Sequence, residues 1–243
     1  MKNRETVRPM TEGQKRDLIK TFSESLPEIS FVDADAVLAN KGPFVTDIRS
    51  VVEKYLPNSL SSRQLAAWQK IYRDLFGIEI GPIPIPTHRK GFDRLLVVAQ
   101  GVTIEKAYAV CAKLFPCWRS TDKNLDEAVP TNDRTPTTGT YAVWVRDRIE
   151  ADEELKNLSA DALAAKNIQT ETILERILHE PVYFLETRKH LDTRNVTLGA
   201  GSRGSFGHVP HADWCDDDGF RVDVDWYHPV FAGDDLRARE VVS

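Results

Sequence analysis

The sequence predicts an α+β protein: an N-terminal helical region, then helices packed on a small mixed sheet that ends in a C-terminal β-hairpin. Three observations carry this. Apolar residues recur at three- and four-residue steps as far as residue 76. The stretch GPIPIPTHRKG, residues 81–91, then places prolines at alternate positions, which fixes an extended backbone and stops any helix. Short apolar or alternating runs follow, the last of them HVPHADWCDDDGFRVDVDWYH at 208–228. Two regions result, a helical one over 1–80 and a mixed one over 87–243.

In the first region Thr11 with Gln14, and Ser61 with Gln64, have the spacing of a capping box, in which a hydroxyl and an amide satisfy the N–H groups of a helix start. After Ser61, residues Leu65, Trp68, Tyr72, Leu75 and Phe76 share one face, and Gly77 suits the stop. A further helix is expected from Phe44 to Tyr55, ended by Pro57. Beyond the prolines, Leu95–Ala99 reads as a short buried strand. Gly101 reads as a turn, and Thr103 as the cap of a helix with Ile104, Ala107, Tyr108, Cys111, Leu114 and Phe115 on one side. Residues 116–140 are rich in Thr, Pro, Asp and Asn and lack a period, so they read as an unusually long loop. Tyr141–Arg146 alternates as a strand and the acidic DEEL at 152–155 opens a polar helical stretch. Ile173, Leu174, Ile177, Leu178, Phe184 and Leu185 mark a longer helix interrupted at Pro181, and Asn195–Leu198 is the next strand.

Composition narrows the function classes. With 41% hydrophobic and 28% charged residues, the chain has what an ordinary folded core needs. A net charge of −5 argues against a phosphate backbone as the main partner. Nucleic-acid binding would require the basic residues of 1–20 to line up with Arg89, Lys90 and Arg94. Apolar runs such as Leu95–Ala99 are no longer than six residues and the first ten residues are polar, so no membrane span or secretion signal is expected. Cys111, Cys117 and Cys215 are odd in number and lack metal-finger spacing, which suits a reducing, cytoplasmic setting. Residues 1–20 hold six Lys or Arg against three acids, and 208–243 hold nine acids against three Arg. That asymmetry suits self-association or a protein partner.

Two stretches invite chemistry. In TLGAGSRGSFG, 197–207, Gly199, Gly201 and Gly204 have the GxGxxG spacing, but the residues after Gly204 read as a strand. A dinucleotide loop needs a helix there, whose N-terminus holds the pyrophosphate. The surviving expectation is a looser anion site made by Ser202, Arg203 and Ser205. His179–Glu180 begins like a zinc-protease helix, but Tyr183 stands where the second ligand belongs. His88 and His190 read as surface residues.

The hairpin is the second. Asp216-Asp217-Asp218-Gly219 suits a turn with a glycine bulge, which makes Asp216 face Phe220 and fixes the register. Trp214 then opposes Val222, Ala212 opposes Val224 and Pro210 opposes Trp226, giving one apolar face. The other face pairs Cys215 with Arg221, Asp213 with Asp223 and His211 with Asp225. Two opposed aspartates repel, so solvent, Arg221, a protonated His211 or a bound cation must offset them. His211, Asp213, Asp223 and Asp225 are thus a candidate site for a divalent metal such as Mg or Mn, with a solvated face as the plainer alternative.

The phrases FDRLLVVAQG, AYAVCAKLFPCWR, YAVWVRDRIEADEELKNLSA, KHLDTRNVTLGAGSR and DLRAREVVS give residues 90–243 a resemblance to a family of uncharacterised bacterial proteins from candidate-phylum genomes. The resemblance implies a bacterial setting and no particular activity. The expected function is a binding or interaction protein without a cofactor or a catalytic site. The alternative is a metal-dependent hydrolase, such as a phosphodiesterase or nuclease, with His211 as ligand or general base.

Overall fold

The computed structural model of the chain describes residues 10–39, 41–54, 59–215 and 219–243. Residues 1–49 and 50–243 form two separate units, with the border inside a helix. The proline stretch at 81–91 therefore lies within the second unit.

The first unit, the helical head, contains α1 (Glu12–Glu24), α2 (Phe31–Ala39) and the first part of α3 (Lys41–Lys54). The Thr11/Gln14 capping box forms as its spacing predicts, with both reciprocal bonds present. Helix α2 has no polar face for periodicity to reveal; Ser30 opens it by accepting the Asp33 N–H at 3.2 Å. Helix α3 starts three residues before the predicted Phe44, and its predicted end at Tyr55 and Pro57 lies outside the described residues.

In the second unit, the body, α4 (Leu60–Ile71) is capped by Ser59 and not by Ser61: the Ser59 hydroxyl accepts the Ser62 N–H at 3.0 Å. Gln64 has a different task. Its amide donates to Asp93 O at 2.7 Å and accepts Leu95 N–H at 2.6 Å, clasping the edge of β1 (Arg94–Val98). The Trp68 indole donates to Leu95 O and the Tyr72 hydroxyl to Val97 O, both at 2.7 Å. These long-range bonds make α4 part of the body's core, although the sequence groups it with the helical region. The helix closes through a π-helical turn, Tyr72–Phe76, stopped as expected by Gly77 at φ 66°.

β1 pairs antiparallel with β4 (Tyr141–Val145). Between them come α5 (Ile104–Leu114), capped by Thr103, then β2 (Cys117–Arg119), α6 (Leu125–Ala128) and β3 (Thr131–Asn132). The predicted 116–140 loop is therefore short elements tied by side chains: Glu105 accepts Leu125 N–H at 2.8 Å and binds Arg119 at 2.6 Å, and Asp126 accepts Ile104 N–H at 2.8 Å. Such ties leave no periodic signature. DEEL forms only a 3₁₀ turn, Glu153–Leu155, before the short α7 (Ala160–Ala165).

Helix α8 (Ile173–Thr187) runs unbroken through Pro181. A proline removes the bond its N–H would give to the carbonyl four residues back, here Ile177. The Cys111 thiol on α5 points at that carbonyl at 3.4 Å and replaces the missing donor. After α8 follow β5 (Val196–Leu198), β6 (Ser202–Arg203), β7 (Val209–Cys215), β8 (Arg221–Tyr227) and β9 (Leu236–Arg237). The main sheet has the order β2-β8-β7-β5-β9 and is mixed, with β2 parallel to β8 and β9 parallel to β5. The α+β class with a C-terminal hairpin is thus observed. Among the described residues no helix is long and apolar enough to cross a membrane.

Candidate functional sites

Over its described residues the hairpin adopts the predicted register: Pro210 faces Trp226, His211 faces Asp225, Ala212 faces Val224, Asp213 faces Asp223, Trp214 faces Val222 and Cys215 faces Arg221. Ala212, Val222 and Val224 enter the core, with Trp214 and Trp226 packed against it. Asp216, Asp217 and Asp218 lie outside the described residues; Gly219 and Phe220 follow them at φ 120° and 56°.

The opposite face is not the open polar surface that alternation suggests. His211 is buried, its ring stacked 4.2 Å from Tyr227, which stacks in turn 4.6 Å from Phe231. Its Nδ1 lies 3.5 Å from Asp213 Oδ1. Arg221 takes the carboxylate across the ladder from Asp213, its Nε 2.6 Å from Asp223 Oδ1, and this answers the repulsion between the two opposed aspartates. Asp225 faces His211 across the ladder. Among the described residues no three His, Cys, Asp or Glu side chains are grouped as a metal ion requires.

The glycine loop serves packing. A Cβ on Gly199 would stand 3.1 Å from Pro210 O and 3.2 Å from Ile173 N, so only glycine lets β5 meet both β7 and the start of α8. Ser202, on the predicted anion site, accepts Ile173 N–H at 2.9 Å and donates to Asn132 at 2.6 Å. Arg203 donates to Ala200 O and Ser202 O, and Ser205 donates to Glu127 O. The three side chains diverge into separate internal bonds and do not share one pocket.

A cavity of about 260 Å³ opens beside the loop's far end, lined in part by Ser205, Phe206, His208, Lys123 and Trp226. Here Gly204 lets the Trp226 ring approach: a Cβ would be 3.1 Å from its Cζ3.

The body's interior holds a charge network that the sequence does not reveal. Asp192, at φ 55°, accepts Arg176 Nε at 2.8 Å, Arg239 Nη2 at 2.7 Å and Ala151 N–H at 2.9 Å. Arg176 also reaches Glu180 at 2.9 Å, and the other oxygen of Glu180 meets His190 Nδ1 at 2.9 Å. His190, expected on the surface, is sandwiched between Trp214 at 3.4 Å and Phe184 at 4.7 Å. Beside this, His179 Nδ1 lies 3.0 Å from Glu171 Oε1, both fully buried. Burial pushes the Glu171 carboxyl up to about 8, against the pull of Arg239 and Arg176. Burial, aided by Arg239, Arg94 and Arg176, pushes the His179 imidazole well below its usual range. The pair therefore holds one proton at neutral pH, while two arginines balance Asp192 and Glu180. His179–Glu180 was the one sequence signal here, and its zinc spacing led away from this role.

Two of the thiols, Cys111 and Cys117, are poor nucleophiles. Burial raises Cys111 far above its usual value, and burial with the Glu180 and Asp223 carboxylates pushes Cys117 up to about 12.

The head presents the opposite surface. None of its residues 10–48 is buried among those described, and Phe31, Val32, Ile19 and Leu38 are 80%, 74%, 67% and 64% exposed. No family model matches the chain, and no curated protein or solved structure matches it.

Proposed function

We propose that this is a non-catalytic interaction protein that assembles through its helical head, with a second copy of the chain as the occupant of the head's apolar face. The observation that carries the reading is that face. Two helices of 13 and 9 residues and the first part of a third keep apolar side chains in water, and helices of that length are marginal without packing. Charge favours self-pairing: residues 1–49 hold eight basic and eight acidic side chains, so the net −5 belongs to the body and the heads of two copies do not repel. The raised Cys111 and Cys117 thiols and the internal bonding of the glycine loop fit this reading. The resemblance to candidate-phylum proteins and the unpaired cysteines suit a bacterial cytoplasmic setting.

Size-exclusion chromatography with light scattering, across protein concentration and salt, tests this. A dimer or larger assembly that persists at high salt is expected for the parent, and a monomer for the Phe31→Ser, Leu38→Ser double variant. A parent that stays monomeric at every condition overturns it.

The second reading, a divalent ion held by His211, Asp213, Asp223 and Asp225 in a hydrolase, is motivated by the register that faces His211 with Asp225. Calorimetric titration with magnesium and manganese, against Asp223→Ala with Asp225→Ala, tests it; no heat in the parent removes it.

A further inference from the structure

The cavity beside the glycine loop has walls unlike the rest of this acidic protein. It contains no carboxylate, and its polar lining is Lys123, His208 and the hydroxyls of Ser120, Thr121 and Ser205. Among the described residues the Lys123 ammonium has no ion-pair partner and the Ser120 hydroxyl no hydrogen-bond partner. The Thr121 hydroxyl accepts Lys123 N–H at 3.2 Å, which leaves its own proton to donate and holds the turn that carries the lysine. Apart from the Ser205 hydroxyl, which donates to Glu127 O, these are donors gathered without an acceptor to match them, the arrangement an anion needs.

The remaining wall is aromatic. The Trp226 ring is set against the loop by Gly204, and Phe206 stands on the rim 85% exposed, between Ser205 and a Gly207 at φ 81°. The fold draws no packing from so exposed a ring, whereas a planar ligand would. At about 260 Å³ the cavity is just smaller than the roughly 300–1,000 Å³ of enclosed ligand sites, so a mononucleotide-sized molecule would keep part of its ring at the open mouth.

We propose that this cavity binds a small phosphate monoester carrying a planar ring, of the nucleoside monophosphate class, with the phosphate toward Lys123, Ser120 and Thr121 and the ring against Trp226 and Phe206. The site lies wholly in the body and does not depend on the head's assembly.

Calorimetry and tryptophan fluorescence with adenosine monophosphate, ribose phosphate, adenosine and a single-stranded oligonucleotide test it on the full chain. Adenosine monophosphate should bind at least about tenfold tighter than ribose phosphate or adenosine, since each of those lacks one half of the recognition. Lys123→Ala should weaken the nucleotide about tenfold and flatten its salt dependence. Phe206→Ala should weaken the nucleotide several-fold, leaving ribose phosphate unchanged. Both side chains are exposed, so circular dichroism should show the fold intact. No binding of the nucleotide at millimolar concentration, equal binding of adenosine, indifference to both variants, or tighter binding of the oligonucleotide would each overturn the proposal.

Discussion

The helical head and the body invert the usual relation between polarity and burial. The head holds Phe31, Val32 and Leu38 in water, while the body encloses Arg176, Glu180, Asp192 and Arg239. The comparison teaches that periodicity reports a face and not what covers it. On α1 the spacing of Leu18, Ile19 and Phe22 is as legible as that of α4, yet only α4 finds a core. On α8 the residues that look like a polar side, Arg176, His179 and Glu180, are as buried as Ile177. A buried network is strong in one sense only: it stabilises little over an apolar core, but breaking it is costly because the remaining charges cannot reach water.

The largest effect expected follows from that asymmetry. Asp192→Ala removes the carboxylate that two buried arginines share, leaving Arg176 with Glu180 alone and Arg239 with only carbonyl acceptors, and should lower the body's unfolding free energy by about 3–5 kcal/mol, measured by urea denaturation. Asp192→Asn keeps acceptors for part of the network and should cost less. A loss below about 1 kcal/mol for the alanine would mean that the interior is wetter than its burial implies.

Next in size is a pH dependence confined to the body. The folded Glu171–His179 pair keeps one proton up to about pH 8, whereas the unfolded groups have ordinary values of 4.5 and 6.5. Between pH 4.5 and 6.5 both states hold about one proton and this pair contributes no slope. Above 6.5 the unfolded chain has lost its proton and the folded pair has not, so stability falls until about pH 8, by something on the order of 2 kcal/mol. Below 4.5 the unfolded chain holds two protons against one, and stability falls again toward acid. Glu171→Gln should remove the alkaline slope; an unchanged slope in that variant would assign it elsewhere.

Gly199→Ala should come third. The new methyl would meet two backbone atoms, Pro210 O at 3.1 Å and Ile173 N at 3.2 Å, and neither can turn aside. A loss of about 1–3 kcal/mol is expected, against no more than about 0.5 kcal/mol for Gly139→Ala, where nothing lies within 4 Å. Equal effects would show that the loop yields.

What could be read beforehand follows from the range of the interactions. The hairpin register was legible because alternation over seven residues on each strand is a local pattern with one solution, and every pair from Pro210–Trp226 to Cys215–Arg221 formed. The caps at Thr11 and Thr103 and the stop at Gly77 were legible for the same reason. Ser59 displaced Ser61 as the cap because Gln64 was needed 31 residues away, at Leu95. The 116–140 segment is ordered by Glu105 and Asp126, and Pro181 is tolerated because Cys111 on another helix faces Ile177. Asp192 gathers partners from residues 151, 176 and 239, a convergence that no spacing along the chain announces. The predicted site residues split accordingly: the cross-strand placement of His211 and Asp225 was readable, but the covering of that face by Tyr227 and Phe231 was not.

The smallest effect on stability is expected where the effect on assembly is greatest. Phe31→Ser removes a ring that touches water over most of its surface, so the body's unfolding free energy should hardly change, by less than about 0.5 kcal/mol. If the second copy covers that face, the same ring is buried in the assembly, and its loss should weaken association about tenfold to a hundredfold for each ring buried, read by sedimentation across concentration. The head's own helicity adds a check that the body cannot mimic. Helices as short as α2 depend on packing, so far-ultraviolet circular dichroism of the parent should gain helix as concentration rises through the association range. The Phe31→Ser chain should show the same gain only at higher concentration. Helicity independent of concentration would mean that the three helices stand without a partner, and the contrast between head and body would then lie in composition alone.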